Sequence, residues 1–237
     1  MHRFNDVIEN LKRGRTQRVL AFGSSNTARY LYGLHWFDCL DLAIAHRHGR
    51  HHRFINAGIS GNTTSQLLAR FDEDAALYKP HAVFITIGGN DSNPARDISL
   101  AQFKTNLLEL HSRFVQLNCA VIFQTYYAPN TYLSSDAGRQ AVFSQYMQTV
   151  RDVATETDSE LVDHLARWEP LRDHYPAYYI QLMRDQMHVN DLGNMVMGLD
   201  LARRYELPLG LDCQELWSFP KQCQMLMDAL AAGRKTS

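Results

Sequence analysis

The stretch Arg18-Val-Leu-Ala-Phe22-Gly23-Ser24-Ser25-Asn26 decides the fold. Val19 to Phe22 run continuously apolar and then stop at a glycine followed by small polar side chains. A strand covered on both faces reads this way, whereas a strand with one wet face alternates. The stop places Ser25 just past the carboxyl end of that strand, where ligands bind in open parallel sheets.

Working outward, four more short runs share this character: Arg53-Phe-Ile-Asn-Ala57, Ala82-Val-Phe-Ile-Thr-Ile87, Cys119-Ala-Val-Ile-Phe-Gln-Thr125 and Glu160-Leu-Val-Asp163. Between them Phe103, Leu107, Leu110, Phe114 and Leu117 recur at helical spacing, as do Val142/Phe143, Tyr146/Met147 and Val150. Strands alternating with helices predict an α/β sandwich around a five-stranded parallel sheet. Two flanks lie outside it. Phe4, Val7, Ile8 and Leu11 form the stripe of an N-terminal helix within residues 1–14, and Met225 to Leu230 give a helical pattern inside a C-terminal extension, 208–237. No linker composition or internal repeat interrupts the chain, so one domain over 1–237 is expected, with its core at 17–205.

Composition narrows the function. The 237 residues carry 24 Lys+Arg against 25 Asp+Glu, a net charge of −1. Proteins that grip nucleic acid or an anionic surface normally carry a basic excess, so neither partner is expected. No apolar run approaches membrane-spanning length and no h-region follows Met1, which predicts no membrane insertion and a cytoplasmic location. The four cysteines lack CxxC spacing, arguing against a disulfide framework or a zinc site. The run His46-Arg-His-Gly-Arg-His-His52-Arg53 has ligand types that suit zinc or copper. It has no local carboxylate or thiolate, however, and three arginines would repel a cation, so it reads as a solvated loop with no metal. Neither Gly-x4-Gly-Lys-Ser/Thr nor Gly-x-Gly-x-x-Gly occurs, which leaves nucleotide binding without support.

Polar residues concentrate after the strands: Gly23-Ser-Ser-Asn26, Gly58-Ile-Ser-Gly61, Gly88-Gly-Asn90-Asp91 and, downstream, Asp185-Gln-Met-His188. Acyl transfer needs a hydroxyl nucleophile, a base, a carboxylate to orient the base and donors for the developing oxyanion. Ser25, His188, Asp185, and Gly61 with Asn90 supply these types. Read singly, each has a plainer meaning: Ser25 a helix N-cap, Gly61 a turn glycine, Asn90-Asp91 an Asx turn, His188 an exposed loop histidine. Four such groups in order favour the chemical reading.

Phe22-Gly-Ser-Ser25, Gly58-Ile-Ser-Gly61-Asn-Thr-Thr, Gly88-Gly-Asn90-Asp91 and Asp185-Gln-Met-His188 resemble the four blocks of the SGNH/GDSL hydrolase superfamily, over roughly residues 17–205. The resemblance implies a flavodoxin-like three-layer sandwich of strand order 2-1-3-4-5. It implies Ser25 as nucleophile, His188 as base and Asp185 as its orienter. The Ser25 N–H, Gly61 and Asn90 would form the oxyanion hole, and no cofactor is called for. Three positions depart from the pattern: Ser24 stands for the usual Asp, Asn26 for Leu and Val189 for the frequent Pro. Ser24 leaves two adjacent serines in contention, and the Phe22-Gly23 register favours Ser25.

The expectation is a serine esterase acting on a small-molecule short-chain acyl or acetyl ester. A lysophospholipase or acyl-thioesterase, and a catalytically inactive binding module on the same scaffold, stay open. Asn26, Tyr126, Tyr127 and Met187 are the candidate substrate-binding residues. The apolar stripes of the terminal helices could cap a monomer or pair subunits in a homo-oligomer.

Overall fold

Five parallel strands form one sheet: β1 Gln17–Gly23, β2 His52–Gly58, β3 Ala82–Thr86, β4 Ala120–Gln124 and β5 Glu160–Val162, in the order β2-β1-β3-β4-β5. The computed structural model describes residues 3–29, 33–133, 137–207 and 214–234. Among these the helices are α1 Phe4–Lys12, α2 Trp36–His48, α3 Thr64–Ala69, α4 Phe71–Asp74, α5 Leu100–Gln116, α6 Ala137–Glu156, α7 His164–His174, α8 Pro176–Ile180, α9 Asp191–Arg204 and α10 Gln214–Arg234. The α/β class, the five strands and their order are those expected. Central β3 and β4 are buried throughout, whereas edge strands β2 and β5 are mostly half-buried, so the apolar runs were purest where both faces are covered.

The described residues gather into two compact units. The first takes Met1–Arg29, Arg50–Tyr126 and Asp136–Asp163, and holds the whole sheet with α1 and α3–α6. The second takes Tyr30–Gly49, Tyr127–Ser135 and His164–Ser237, and holds α2 and α7–α10.

In the first unit, the α1 stripe Phe4, Val7, Ile8 and Leu11 is buried, with Phe4 meeting Phe84 of β3 edge-on at 5.0 Å. Ser99 starts α5 by accepting the N–H of Gln102 (3.1 Å), satisfying one of the donors a helix start leaves open. The buried face of α5 then delivers Phe114 between Phe22 of β1 and Phe71 of α4, at 6.0 and 4.8 Å in edge-to-face geometry. Truncating so enclosed a ring to alanine costs about 3–5 kcal/mol.

In the second unit, Arg167 of α7 pairs with Asp200 of α9 (3.0 Å) and Asp228 of α10 (3.0 Å), and Arg203 meets Asp228 at 2.6 Å. This lattice pins α10 through charge, while Cys223 and Met227 bury its apolar side. Residues 1–2, 208–213 and 235–237 of the expected terminal additions lie outside the described residues. Among the described residues no helix is long and apolar enough to cross a membrane.

Two local expectations change. No helix begins among the described residues between β1 and Trp36, so Ser25 is not a helix cap; α2 is capped by His35, whose Nδ1 accepts the N–H of Phe37 (3.3 Å). The His/Arg-rich run is partly helix: His46 to His48 form the last turn of α2, where cations suit the carboxyl end of the dipole. Among the described residues no three His, Cys, Asp or Glu side chains are grouped to hold a metal ion.

Candidate active site

The register sets the site's floor. Gly23 at the end of β1 pairs with Gly58 of β2 and Thr86 of β3, so three loops leave the sheet from neighbouring positions. Asn56 ties two of them, donating from Nδ2 to the Thr27 carbonyl (2.7 Å) and accepting the Gly58 N–H (3.0 Å). Arg70 ties them more firmly. Its Nη2 donates to the carbonyls of Gly23 (3.1 Å) and Ala57 (2.8 Å), and its Nε to Asn62 Oδ1 (2.8 Å). Its Nη1 pairs with Asp74 at 2.9 Å, and its plane lies 4.5 Å over the Phe22 ring. Burial pulls the guanidinium's pKa down, with Asp74 opposing. Only the arginine fork has donors enough for four partners at once.

The turn after β1 closes with the N–H groups of Thr27 and Ala28 on the Ser24 carbonyl, at 3.0 and 2.8 Å. The adjacent serines differ sharply. Ser24 is 0% exposed and its Oγ lies 2.8 Å from Tyr126 Oη, whereas Ser25 keeps part of its surface.

Gly61 adopts φ +82°, a left-handed backbone that strains any residue with a Cβ. The next carbonyl, of Asn62, accepts Asn90 Nδ2 at 2.9 Å. A primary amide carries two N–H donors, so this bond orients the group and leaves the second N–H to donate elsewhere. Asp91 is 1% exposed, and its Oδ1 accepts both the N–H and the hydroxyl of Thr64, at 2.8 and 2.6 Å. Burial raises its carboxyl pKa and the two Thr64 bonds oppose that. Asp91 therefore fastens the Asn90 loop to the start of α3. It does not open the following helical turn, which Asn93 caps through the Ala95 N–H (3.1 Å).

In the second unit both oxygens of Asp185 lie 2.9 Å from His188 Nδ1. Oδ1 also accepts the N–H groups of Met187 and His188, each at 2.9 Å, and Arg184 reaches Oδ2 at 3.0 Å. Burial alone would raise this carboxyl, but the Met187 N–H, Arg184 and His188 together hold it below the usual range. Tyr127 stiffens the loop, donating to the Met187 carbonyl (2.7 Å) and accepting the Val189 N–H (2.9 Å). This accounts for Val189 where the family often has proline, which has no N–H to give. Asn190 then caps α9 through the Gly193 N–H at 3.0 Å.

The expected residues thus fall into two groups. Ser25, Gly61 and Asn90, with Asn26 and Tyr126, belong to the first unit at the carboxyl ends of β1–β3; Asp185, His188, Met187 and Tyr127 belong to the second. Asp185 and His188 are brought into direct contact, and Asn90 meets the Gly61-Asn62 turn. Met187 is half-buried, whereas Asn26, Tyr126 and Tyr127 are buried, the tyrosines at 3% and 2% exposure, so both rings serve as supports beneath loops. Arg70 and the Thr64–Asp91 and Ser24–Tyr126 bonds were not foreseen. An arginine set among Leu67, Leu68 and Phe71 was the one signal for the first.

Residues 21–196 match the family described as GDSL-like Lipase/Acylhydrolase. The chain is 31% identical over 219 residues to an acetylxylan esterase of Geobacillus stearothermophilus, covering 87% of this chain and 92% of that protein. The crystal structure of an acetylxylan esterase from the same organism is 26% identical, with a TM-score of 0.69 over 84% of this chain and 98% of that one. An acetyl-xylooligosaccharide esterase mutant from that source gives 25% identity and a TM-score of 0.70 over 84% and 98%. The chain belongs to the GDSL-like lipase/acylhydrolase family, within the SGNH/GDSL superfamily, and is an ester-cleaving hydrolase.

Proposed function

We propose that the protein is a serine esterase that removes acetyl groups from a small carbohydrate ester, with Ser25 as nucleophile. The observation carrying the reading is the grip of Asp185 on Nδ1 of His188, the pairing that orients an imidazole for proton transfer through its other nitrogen. Ser25 Oγ attacks the ester carbonyl as His188 takes its proton. The N–H groups of Ser25 and Gly61 and the Asn90 amide receive the negative charge on the carbonyl oxygen. Collapse breaks the bond to the sugar oxygen, which takes the proton from His188 and leaves as the sugar hydroxyl, with the acetyl group on Ser25. Water, deprotonated by His188, then releases acetate and restores the serine.

The acetyl and sugar parts of the proposal rest on the acetylxylan esterase relatives. Solved catalytic mutants of the Geobacillus stearothermophilus enzyme, one with a serine and one with a histidine changed to alanine, agree with a Ser/His pair. A long-chain acyl substrate has less support. Met183, Met195 and Met197, which could have lined an adaptable pocket, are all buried. A series of p-nitrophenyl esters from acetate to palmitate, run beside an acetylated xylo-oligosaccharide, tests this. The highest kcat/KM is expected on acetyl groups; a maximum at long chains would replace deacetylation with a lipid-directed activity.

A further inference from the structure

We infer that Tyr126 is a positioning residue that sets the nucleophile turn and the oxyanion loop together. The inference rests on the assignment of Ser25 and Asn90 above.

Tyr126 follows β4 directly, and its ring lies under both loops. Its Oη is 2.8 Å from the Oγ of Ser24, the residue before the nucleophile, and both groups are buried. Burial raises the pKa of the Tyr126 hydroxyl, and Ser24, the Gly89 backbone and the Asn26 side chain oppose that. A phenol oxygen has two lone pairs and one hydrogen. In the Ser24–Tyr126 pair either hydroxyl can donate to the other. One hydroxyl thus interacts with the residues on either side of Ser25 and the residue before Asn90.

The ring acts on the same loop by contact. A Cβ on Gly89 would fall 2.4 Å from Tyr126 Cε2, so the backbone before Asn90 rests on the ring face with no room between. The ring is itself fixed from behind, its backbone N–H on Met147 Sδ (3.2 Å) and Phe143 at 6.0 Å. Ser24 stands where the family usually carries Asp. Here a neutral pair, Ser24 and Tyr126, braces the turn. Neither side chain touches the reacting atoms in this account. Tyr126 acts through Ser24, Asn26 and Gly89 on the groups that do.

The test uses the full chain with Tyr126→Phe, Ser24→Ala and the double variant. Each is measured for kcat and KM on p-nitrophenyl acetate, for the rate of fluorophosphonate labelling, and for Tm. Each single variant should lower kcat about tenfold with KM within about twofold, and slow labelling in step. Since each breaks the Ser24–Tyr126 bond, the double variant should lose no more than Tyr126→Phe alone, not a hundredfold. A fall in Tm with kcat unchanged would reduce the pair to a packing contact, and multiplying effects would show that the two act separately. Either overturns the inference. If Tyr126→Phe does not fold, Ser24→Ala breaks the same bond and decides the matter alone. Wild-type protein that never labels at Ser25 defeats the active-site assignment instead; labelling at Ser25 with unchanged rates in the variants defeats only the bracing.

Discussion

Asp185 holds His188 from two sides: its carboxylate meets the ring Nδ1 at 2.9 Å and accepts the residue's own backbone N–H at 2.9 Å. Ring orientation and loop shape are thus fixed by one group. An amide at 185 could keep part of the loop geometry but would present a donor to Nδ1 and favour the wrong tautomer. Asp185→Asn should lower kcat on the order of 10³–10⁴-fold, with a modest fall in Tm and the fold retained, read by steady-state kinetics and thermal melting. A loss below tenfold would remove Asp185 from the proton-transfer chain.

The pH dependence follows from the same pair. Asp185 is held below the ordinary carboxylate range, so it stays ionised through mildly acid and neutral solution. In the proposed mechanism His188 accepts the serine proton, and the ionised Asp185 keeps its ring oriented for that step. The stability that Asp185 adds has its own sign. Its folded pKa is depressed, so that contribution is complete above the unfolded value near 3.9 and fades as pH drops through the folded one. Melts across pH should therefore show the difference between the wild type and Asp185→Asn shrinking as acid protonates Asp185. A difference that stays constant into acid would contradict that contribution.

Asn90 offers a sharper separation of binding from chemistry. Its amide is oriented by the Asn62 carbonyl at 2.9 Å, and in the proposed mechanism its second N–H meets the oxyanion. Asn90→Ala should cost about 10²–10³ in kcat and leave KM nearly unchanged, since the charge it meets appears only in the transition state. A rise in KM at constant kcat would make Asn90 a substrate-binding residue.

The sheet could be read from the sequence because burial on both faces leaves a local mark, the unbroken apolar run of Val19 to Phe22 or Ala82 to Ile85. The four polar blocks could be read because they follow those strands in order. What stayed hidden is what joins distant segments. Ser24 and Tyr126 are separated by 102 positions, and Thr64 and Asp91 by 27, with no periodicity linking either pair. For Tyr126 and Tyr127 the sequence left substrate binding and ordinary packing over the sheet end both open. Both are buried, and their hydroxyls meet Ser24 and the Met187 carbonyl, partners far away in sequence.

Arg70 tests that lesson directly. It donates to the carbonyls that end β1 and β2 and to Asn62, which in turn orients Asn90. Arg70→Lys keeps the charge and loses the fork. It should lower stability by about 1–3 kcal/mol in chemical denaturation and reduce kcat at least a fewfold. Unchanged stability would mean that solvent replaces those bonds at no cost.

The central claim is that Ser25, and not the buried Ser24 beside it, carries the acyl group. Labelling with a fluorophosphonate, followed by mass mapping of the modified peptide in the wild type, Ser24→Ala and Ser25→Ala, tests it most directly. The account predicts the adduct on Ser25, its persistence at a reduced rate in Ser24→Ala, and no adduct and no esterase turnover in Ser25→Ala. An adduct on Ser24, or turnover surviving in Ser25→Ala, would contradict it.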